Sequence, residues 1–337
     1  MRAVARAWET RHGRGSVLGL TLSVRARDEL AFNKPMSTIL SYKIHTVTPY
    51  INWIYFFHAW GFQPRFAAIA NIHGCDACRA SWLTTFPEEE RNKASEAMQL
   101  FKEANRMLDL LDRDYEVKTI FKLCKANSDG DNLIIEKEKD RFITFPLLRQ
   151  QTPKRDGSPF LCLSDFIRPI SSGIPDTIGA FASSIDADME GLYEQDPYKH
   201  LLVQTLSDRL AEAATEKMHE YVRKEAWGYA KDENLGIADL LVEKYQGIRP
   251  AVGYPSLPDQ SVNFLLDELL DMKQIGISLT ENGAMYPHAS VCGLMFSHPA
   301  SEYFSVGKIG EDQLEDYARR RGKSIEEMCK FLAANLQ

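Results

Sequence analysis

The sequence predicts an α+β fold: a single large domain in which packed helices cover a twisted antiparallel sheet. Three observations predict it. Strand-like segments follow one another across short turns, which is typical of antiparallel pairing. Helix-like segments also come in pairs, and no internal repeat or heptad array is present. Finally, 337 residues with 44% hydrophobic content can form one large core or two small ones.

The first half of the chain contains one strong helix signal and three strand signals. Residues 95–111 place apolar side chains on one helical stripe, made of Met98, Phe101, Ala104, Leu108 and Leu111. Tyr115–Cys124 alternates like a strand, and Ile134–Ile135 and Phe142–Phe145 predict two more.

The segment Asn127–Asn132 has the spacing of a calcium loop, with Asp129, Gly130 and Glu136 at fitting positions. Lys125 would occupy the first ligand position, however, and its charge would repel the ion. The Asp-Gly pair therefore predicts a hairpin turn.

The second half alternates in the same way. The longest predicted helix is Tyr198–Trp227, with a buried stripe of Val203, Leu206, Leu210, Ala213 and Ala214. A short helix is predicted at Ile237–Tyr245, and a further one, capped by Asp259 or Ser261, is expected to end near Met272. The remaining predictions are strands at Phe160–Phe166, Asp176–Ser183, Ala289–Phe296 and Glu302–Ile309, and two final helices, the second with a capping box from Ser324 to Glu327.

The first 35 residues differ from the rest of the chain. They carry six arginines, little aromatic content and no sustained periodicity, and no convincing cleavage signal is found. We therefore expect residues 1–35 to be an irregular tail, a linker remnant or an over-extended start, with Met36 as an alternative beginning. The folded domain is expected over residues 36–337.

Composition argues against several function classes. The net charge of −7 is spread along the chain without a basic stripe, which argues against nucleic-acid binding. No apolar run of about 18 residues is present, so no membrane span is expected. Six unevenly placed cysteines do not form a disulfide framework, and a reducing cytoplasm is the expected location.

Two of these cysteines lie in the segment His73-Gly-Cys-Asp-Ala-Cys78. A Cys-x-x-Cys pair can be half a zinc site or a redox pair. A structural zinc site needs four ligands, and no second ligand pair follows in the sequence. Two free thiols near a helix start are therefore the preferred interpretation, and no metal site is expected.

A stiff loop at Gly247–Ser261 is the strongest candidate for function. Three prolines restrict its backbone, and two glycines allow sharp turns or close approach to a ligand. Arg249 and Tyr254 suit a small ligand that has a carboxylate and a flat or hydrophobic part. The alternative from local chemistry is a Pro-rich connector with a solvated arginine.

The motif Arg-Pro-Ala-x-Gly-Tyr-Pro-x-x-Pro in this loop resembles the S-adenosylmethionine-binding signature of the activation domain of cobalamin-dependent methionine synthase. Other stretches resemble that domain in the same order, so the similarity covers residues 48–334. They are Tyr50–Phe57, Leu147–Thr152, Ile178–Phe181, Asp208–Glu212, Trp227–Tyr229, Ser297–Pro299 and Asp316–Arg320.

The resemblance implies a binding site for S-adenosylmethionine. Arg249 would bind the ligand carboxylate through a bidentate contact. Glu212 would face the ammonium or the sulfonium, although from the residues alone a solvated helix-face acid is the simpler interpretation. Ala251 and Gly253 would offer backbone groups to the adenine.

The implied site also contains aromatic and amide residues, and some of them differ from the residues that are common in the family. Tyr254 and Tyr303 would pack on the ligand or bind it through their hydroxyls. Asn52 stands where the family commonly has Asp, which removes one negative charge facing a cationic ligand. Phe304 replaces a frequent Tyr, and Gln260 stands where a His is common.

The implied role is reactivation within methionine biosynthesis. S-adenosylmethionine and an electron from a flavodoxin-like donor would convert cob(II)alamin to methylcobalamin. The cobalamin itself would be held by a separate domain or chain, because this sequence lacks the Asp-x-His-x-x-Gly motif. The chain would thus act as part of a methyltransferase, without the homocysteine, folate and cobalamin modules.

Three other functions remain alternatives, one of which is a redox or metal protein built on Cys75 and Cys78. A stand-alone S-adenosylmethionine-dependent methyltransferase would be expected to show a Gly-rich loop after the first strand of a doubly wound sheet, and none is found. A docking module for flavodoxin or the cobalamin domain, with a weakened ligand site, would fit the change at Asn52. The retained Arg249, Glu212 and Tyr303 argue against it.

Overall fold

The computed structural model describes residues 37–153 and 157–336. The expected tail of residues 1–35 and the alternative start at Met36 lie outside these ranges. In chain order the strands are β1 Thr38–Lys43, β2 Glu116–Asp129, β3 Asn132–Glu138, β4 Arg141–Pro146, β5 Asp176–Ile185, β6 Ser278–Leu279, β7 Met285–Tyr286 and β8 Ser290–Met295.

Six strands form one antiparallel sheet in the order β4-β3-β2-β5-β8, with β1 beside the first half of β2. β2 is 14 residues long. One of its edges pairs with β1 and then with β3, while β5 pairs along the other edge. β6 and β7 form a separate two-stranded sheet. The predicted α+β class with an antiparallel sheet is confirmed.

Helices lie between the strands and after the last strand in sequence. They are α1 Ile44–Val47, α2 Trp53–Ala59, α3 Asp76–Thr84, α4 Arg91–Asp114, α5 Pro197–Tyr221, α6 Ile237–Leu240, α7 Val262–Leu270, α8 Glu311–Arg321 and α9 Ile325–Phe331. Short 3₁₀ helices occupy Thr48–Tyr50, Pro64–Asn71, Glu88–Glu90, Leu163–Phe166, Ile170–Ser172, Ala187–Met189 and Met272–Ile275, and a π-helical turn at Val222–Ala226 continues α5. No helix in the described ranges is both long and apolar enough to cross a membrane.

The sheet is buried between helices on both faces. One face packs on α5, where Phe121 and Phe181 meet Met218 and Val222. The opposite face packs on α7, through a cluster that includes Ile120, Ala180, Leu294, Val262 and Leu266. Successive strand residues point to opposite faces, so the apolar runs of β5 and β8 fill both cores.

The two long helices follow their predicted patterns. α4 extends the predicted helix at both ends, and Ala104, Leu108 and Leu111 of its stripe are buried. In α5 all five residues of the predicted stripe are buried. The side-chain oxygen of Asp196 caps α5 by accepting a hydrogen bond from the Lys199 N–H at 3.2 Å.

Two predicted strands are wrong. Phe160–Phe166 makes one bridge between Cys162 and Arg149 and then turns into a 3₁₀ helix. Glu302–Ile309 has no regular structure and makes isolated backbone bonds, such as the Val306 N–H to the Pro255 carbonyl at 2.9 Å. Buried side chains of both segments join the hydrophobic clusters without strand pairing, while Phe160 and Tyr303 stay partly exposed, so apolar content did not indicate a ladder.

The turn predictions have mixed outcomes. Asp129 pairs with Asn132 across Gly130, which has a φ of +56°, so the hairpin is confirmed. The predicted helix Ile237–Tyr245 is helical only over α6. At the start of α9 the Ser324 side chain accepts from the Glu327 N–H at 3.1 Å, as expected for the serine half of a capping box.

Buried polar contacts connect the region before α7 to α8. Asp259 is almost fully buried and accepts hydrogen bonds at 2.8 Å from the N–H and the hydroxyl of Ser261. Tyr317 donates to the same carboxylate at 2.7 Å, and the guanidinium of Arg321 lies 3.5 Å away. Asp259 therefore fixes the turn before α7 through its neighbours rather than by capping the helix directly.

Replacing this buried carboxylate should destabilise the fold. Asp259→Asn keeps the shape but leaves the Arg321 charge uncompensated, so the free energy of unfolding should fall by about 3 kcal/mol. Urea denaturation of the full chain measures this, with Glu315→Gln, an exposed change on α8, as the matched control. A loss no larger than that of the control would contradict the assignment.

Candidate functional site

The loop that the sequence analysis singled out runs along the edge strand β8. Ile248 and Phe296 exchange two backbone hydrogen bonds, at 3.0 and 2.8 Å. Further along, the Leu294 N–H donates to the Pro250 carbonyl at 3.1 Å and the Val252 N–H to the Cys292 carbonyl at 2.9 Å. The first part of the loop is therefore held to the sheet by backbone contacts.

Glycines permit this close approach. A Cβ at Gly293 would lie 2.2 Å from the Pro250 carbonyl oxygen, and one at Gly247 would lie 2.4 Å from the Phe296 carbonyl oxygen. Gly247 and Gly253 also have φ near +87°, which side-chain-bearing residues rarely adopt. The motif glycines are thus required by backbone geometry.

A cleft of about 720 Å³ lies between this loop, the middle of α5, the start of α2 and the segment after β8. Seven of the eight predicted site residues line it: Asn52, Glu212, Arg249, Ala251, Tyr254, Tyr303 and Phe304. Gly253 is not among the lining residues and supports the turn behind them. The wall of the cleft also includes other charged and aromatic side chains, namely Tyr50, Tyr55, Arg209, Glu216 and Glu243.

A buried ion pair forms the floor of the cleft. Arg249 donates through Nη2 to Glu216 of α5, whose exposure is only 4%. Burial opposes the charge of Arg249, but the carboxylate of Glu216 raises the pKa of the guanidinium well above its usual value. Within the described residues, Arg249 Nε and Glu216 Oε1 have no hydrogen-bond partner. The pair is charged and retains bonding capacity.

Two tyrosines connect the loop to the cleft walls. The Tyr303 hydroxyl accepts a hydrogen bond from the Arg249 backbone N–H at 3.0 Å. Tyr254 donates its hydroxyl to Glu212 Oε1 at 2.7 Å, which joins the loop to α5 across the cleft. Burial raises the pKa values of both phenols, so both remain protonated donors at neutral pH.

Asn52 has a structural role in addition to its place in the wall. It precedes α2, and its side-chain oxygen accepts from the Ile54 N–H at 3.2 Å. An aspartate at this position could cap the helix in the same way. Asn52 therefore caps α2 and contributes a neutral amide to the cleft wall.

Behind the ion pair lies a second buried polar group. His219 is fully buried, and its Nδ1 accepts a hydrogen bond from Arg223 at 2.8 Å. Arg223 also forms a bidentate pair with Glu233, at 2.7 and 2.9 Å, and its guanidinium lies 4.1 Å from the ring centroid of Tyr245. These contacts fix the end of α5 and the approach of the chain to the loop.

Sequence reasoning missed Glu216 and His219. Glu216 follows Glu212 by four residues and therefore lies on the same side of α5. His219 follows Glu216 by three residues, which continues that side toward the buried end of the helix. The spacing of these residues could have indicated a shared side of α5. It could not indicate that Glu216 and His219 are buried or that Glu216 pairs with Arg249.

The match to a family of known proteins covers most of the chain. Residues 43–322 match the family described as vitamin B12 dependent methionine synthase, activation domain. The chain belongs to this family. A solved structure described as the MetH reactivation domain bound to AdoHcy is also similar, with a TM-score of 0.77 and 39% sequence identity. The alignment covers 89% of this chain and 90% of that chain.

One cluster of possible metal ligands lies outside the cleft. His73, Cys75 and Cys78 place their ligand atoms within 4.8 Å of one another. The Cys75 sulfur accepts from the Cys78 N–H at 3.2 Å. Hydrogen bonds from the Cys78 thiol and the His73 ring lower the pKa of Cys75 to about 7. The sequence pattern indicated two thiols as possible metal ligands, and the fold brings the His73 imidazole close to them as a third.

Glu216→Gln should destabilise the activation domain more than a Glu-to-Gln substitution at an exposed position nearby. The substitution keeps the shape but leaves Arg249 buried without its counter-charge, so about 3 kcal/mol of stability should be lost. Urea denaturation measures the loss. Glu225→Gln, at an exposed position of the adjoining π-helical turn, is the control and should change little. Equal values for the two variants would mean that the pair is not a structural constraint.

His219 should make the domain sensitive to acid. Burial, together with the nearby charges of Arg223 and Arg249, lowers the pKa of His219 well below its usual value. The unfolded chain therefore binds a proton below pH about 6.5 that the folded chain does not, and stability is lost as the pH falls, at up to about 1.4 kcal/mol per pH unit.

The test is urea unfolding at pH 7.5 and pH 5.5 for the wild type, His219→Gln and the exposed control His58→Gln. Glutamine can still accept the hydrogen bond from Arg223 but cannot titrate. The acid-induced loss should be about 1 kcal/mol smaller in His219→Gln than in the control. The same loss in all three proteins would show that His219 does not contribute.

Proposed function

We propose that the cleft binds S-adenosylmethionine and that the chain uses it to reactivate cobalamin-dependent methionine synthase. The observation that carries the proposal is the convergence of Arg249, Glu212 and Tyr254 in one cleft of a methionine synthase activation domain. The related MetH reactivation domain was solved with AdoHcy, which is the same ligand after loss of its methyl group.

The residues of the cleft fit the ligand group by group. Its volume of about 720 Å³ lies in the range of about 300–1,000 Å³ usual for small-molecule sites. The side chain of Arg249 lines the cleft and is 14% exposed, and its guanidinium provides the donors for the ligand carboxylate. Glu216 holds this guanidinium in place, so little side-chain entropy is lost on binding.

Glu212 is the proposed partner of the cationic part of the ligand. It lies one helical turn from Glu216, and its Oε1 is oriented by the Tyr254 hydroxyl. Glu212, Glu216 and Glu243 give the wall three acids against the two arginines Arg209 and Arg249. This excess suits a ligand with both a sulfonium and an ammonium.

The small residues of the loop suit the flat end of the ligand. Ala251 leaves backbone groups and space for the adenine, while Tyr303 and Phe304 provide apolar surface beside it. Gly253 allows the turn behind these residues. Asn52 would contact the ligand as a neutral hydrogen-bonding group, where a carboxylate would add attraction. We therefore propose weaker electrostatic binding than a site with aspartate would give.

The proposed reaction needs a cobalamin-bearing domain and an electron donor. The partner holds the cobalamin, whose cobalt would accept the methyl group. One electron from a flavodoxin-like protein and the methyl group of S-adenosylmethionine would convert cob(II)alamin to methylcobalamin. S-adenosylhomocysteine would be released. The residues of this chain hold and orient the methyl donor. Cytoplasmic location is part of the proposal and agrees with six free cysteines.

The rim of the cleft suits a protein partner. Tyr55 and Tyr254 line the cleft and are 60% and 52% exposed, and Val242 beside the cleft is 63% exposed. Apolar side chains grouped around a ligand site are typical of surfaces that another protein covers. We propose that the cobalamin domain covers this rim during methyl transfer.

Calorimetric titration of Arg249→Lys tests the site. Lysine keeps a positive charge opposite Glu216 but loses the planar donor pair, so affinity for S-adenosylmethionine should fall roughly 10- to 100-fold. Arg319→Lys, at an exposed position of α8, is the control and should bind like the wild type. Unchanged affinity in Arg249→Lys would remove the proposed carboxylate contact.

Glu212→Gln tests charge recognition separately. The wild type should bind S-adenosylmethionine more tightly than S-adenosylhomocysteine, because only the former carries the sulfonium charge. In Glu212→Gln that preference should shrink by about tenfold, since the carboxylate is lost. If the preference stays the same, Glu212 does not face the sulfonium.

The docking-module alternative makes a different prediction for the same titrations. No saturable binding by the wild-type chain, alone or with the cobalamin domain added, would favour that alternative and contradict the proposal. The stand-alone methyltransferase has less support, because the sheet of the described residues is antiparallel rather than doubly wound.

A further inference from the structure

The cluster of His73, Cys75 and Cys78 is not used by the proposed function. None of the three side chains lines the cleft around Arg249. The imidazole is exposed and the two thiols are half-buried, so all three are reachable from solvent. Their arrangement comes from the local fold of the segment that leads into α3.

The backbone holds the two sulfurs on one side of the first turn of α3. Cys75 is the residue before the helix, with extended φ and ψ of −77° and 153°. The Arg79 N–H donates to the Cys75 carbonyl at 3.1 Å, and the Cys78 N–H donates to the Cys75 sulfur. A Cys-x-x-Cys pair in this conformation places both sulfurs on the same side of the turn.

Packing on the other side of α3 fixes its position. Trp82 is buried against Phe86 with ring centroids 4.9 Å apart, and Phe86 stacks on Phe66 at 5.2 Å. The last turn of α3 is therefore anchored in the core, and His73 meets the helix start from the segment after the 3₁₀ helix Pro64–Asn71. The three ligand atoms already lie within 4.8 Å of one another.

We propose that His73, Cys75 and Cys78 bind one zinc ion, with a water molecule in the fourth coordination position. Two thiolates and one imidazole form a soft donor set that suits zinc, and the two thiolate charges neutralise the dication. Tetrahedral zinc brings such atoms to about 3.5–3.8 Å from one another. Rotation of the exposed imidazole allows this contraction.

Three protein ligands leave one coordination position open. A structural zinc site with four protein ligands is closed, whereas this site faces solvent and can exchange its water. The bound metal would join the segment before α3 to the first turn of the helix. The inference is independent of the proposed binding of S-adenosylmethionine.

The test uses the full chain, purified without an affinity tag under reducing conditions and stripped of metal with a chelator. Titration with Zn²⁺ should show one tight equivalent. Titration with Co²⁺ should give the absorption bands of tetrahedral cobalt with thiolate ligands. Absence of a stoichiometric site in the reduced wild-type chain would overturn the proposal, whatever the behaviour of any variant.

Variants assign the ligands. Cys75→Ser and Cys78→Ser should each lower zinc affinity by at least about 100-fold, and His73→Gln should lower it as well. Cys329→Ser removes another half-exposed thiol, outside the cluster, and should bind zinc like the wild type. Far-ultraviolet circular dichroism of each variant confirms folding. Unchanged affinity in a folded Cys75→Ser/Cys78→Ser variant would place the metal elsewhere and contradict the proposal.

Discussion

The buried pair between Arg249 and Glu216 is the constraint on which the cleft depends. A guanidinium and a carboxylate removed from water are tolerable only when each is paired, so the loop and α5 must keep a fixed separation. The Arg249 backbone is held as well, through the Tyr303 hydroxyl. Tyr254 and Glu212 repeat the connection from loop to helix at the mouth of the cleft.

The antiparallel sheet supplies the rigid side of this arrangement. The loop extends the sheet beyond β8 by backbone hydrogen bonds, and Gly293 allows the Pro250 carbonyl to approach to a distance that any side chain would block. At the end of the loop, buried Asp259 joins the turn before α7 to α8. The sheet, α5 and α8 thus hold the loop from three directions, which suits a site that must present its ligand in one orientation.

The predictable parts were those with strong periodicity or specific motifs. The stripe of α5 and the hairpin at Gly130 follow from local patterns. The loop motif singled out Arg249, which lines the cleft. Strand pairing was harder to predict, because apolar content alone does not distinguish a paired strand from Glu302–Ile309. In that segment Val306 and Ile309 are buried against the final helices without joining a ladder. Glu216 was missed because its burial depends on a partner 33 residues away along the chain.

The most direct test of the central claim is a crystal structure of the chain soaked with S-adenosylhomocysteine, followed by one with S-adenosylmethionine. We expect the ligand carboxylate at the Arg249 guanidinium, the sulfur on the side of Glu212 and the adenine beside Ala251, with the Arg249–Glu216 pair retained. Density for the ligand elsewhere on the surface, or an ordered empty cleft at saturating ligand, would contradict it.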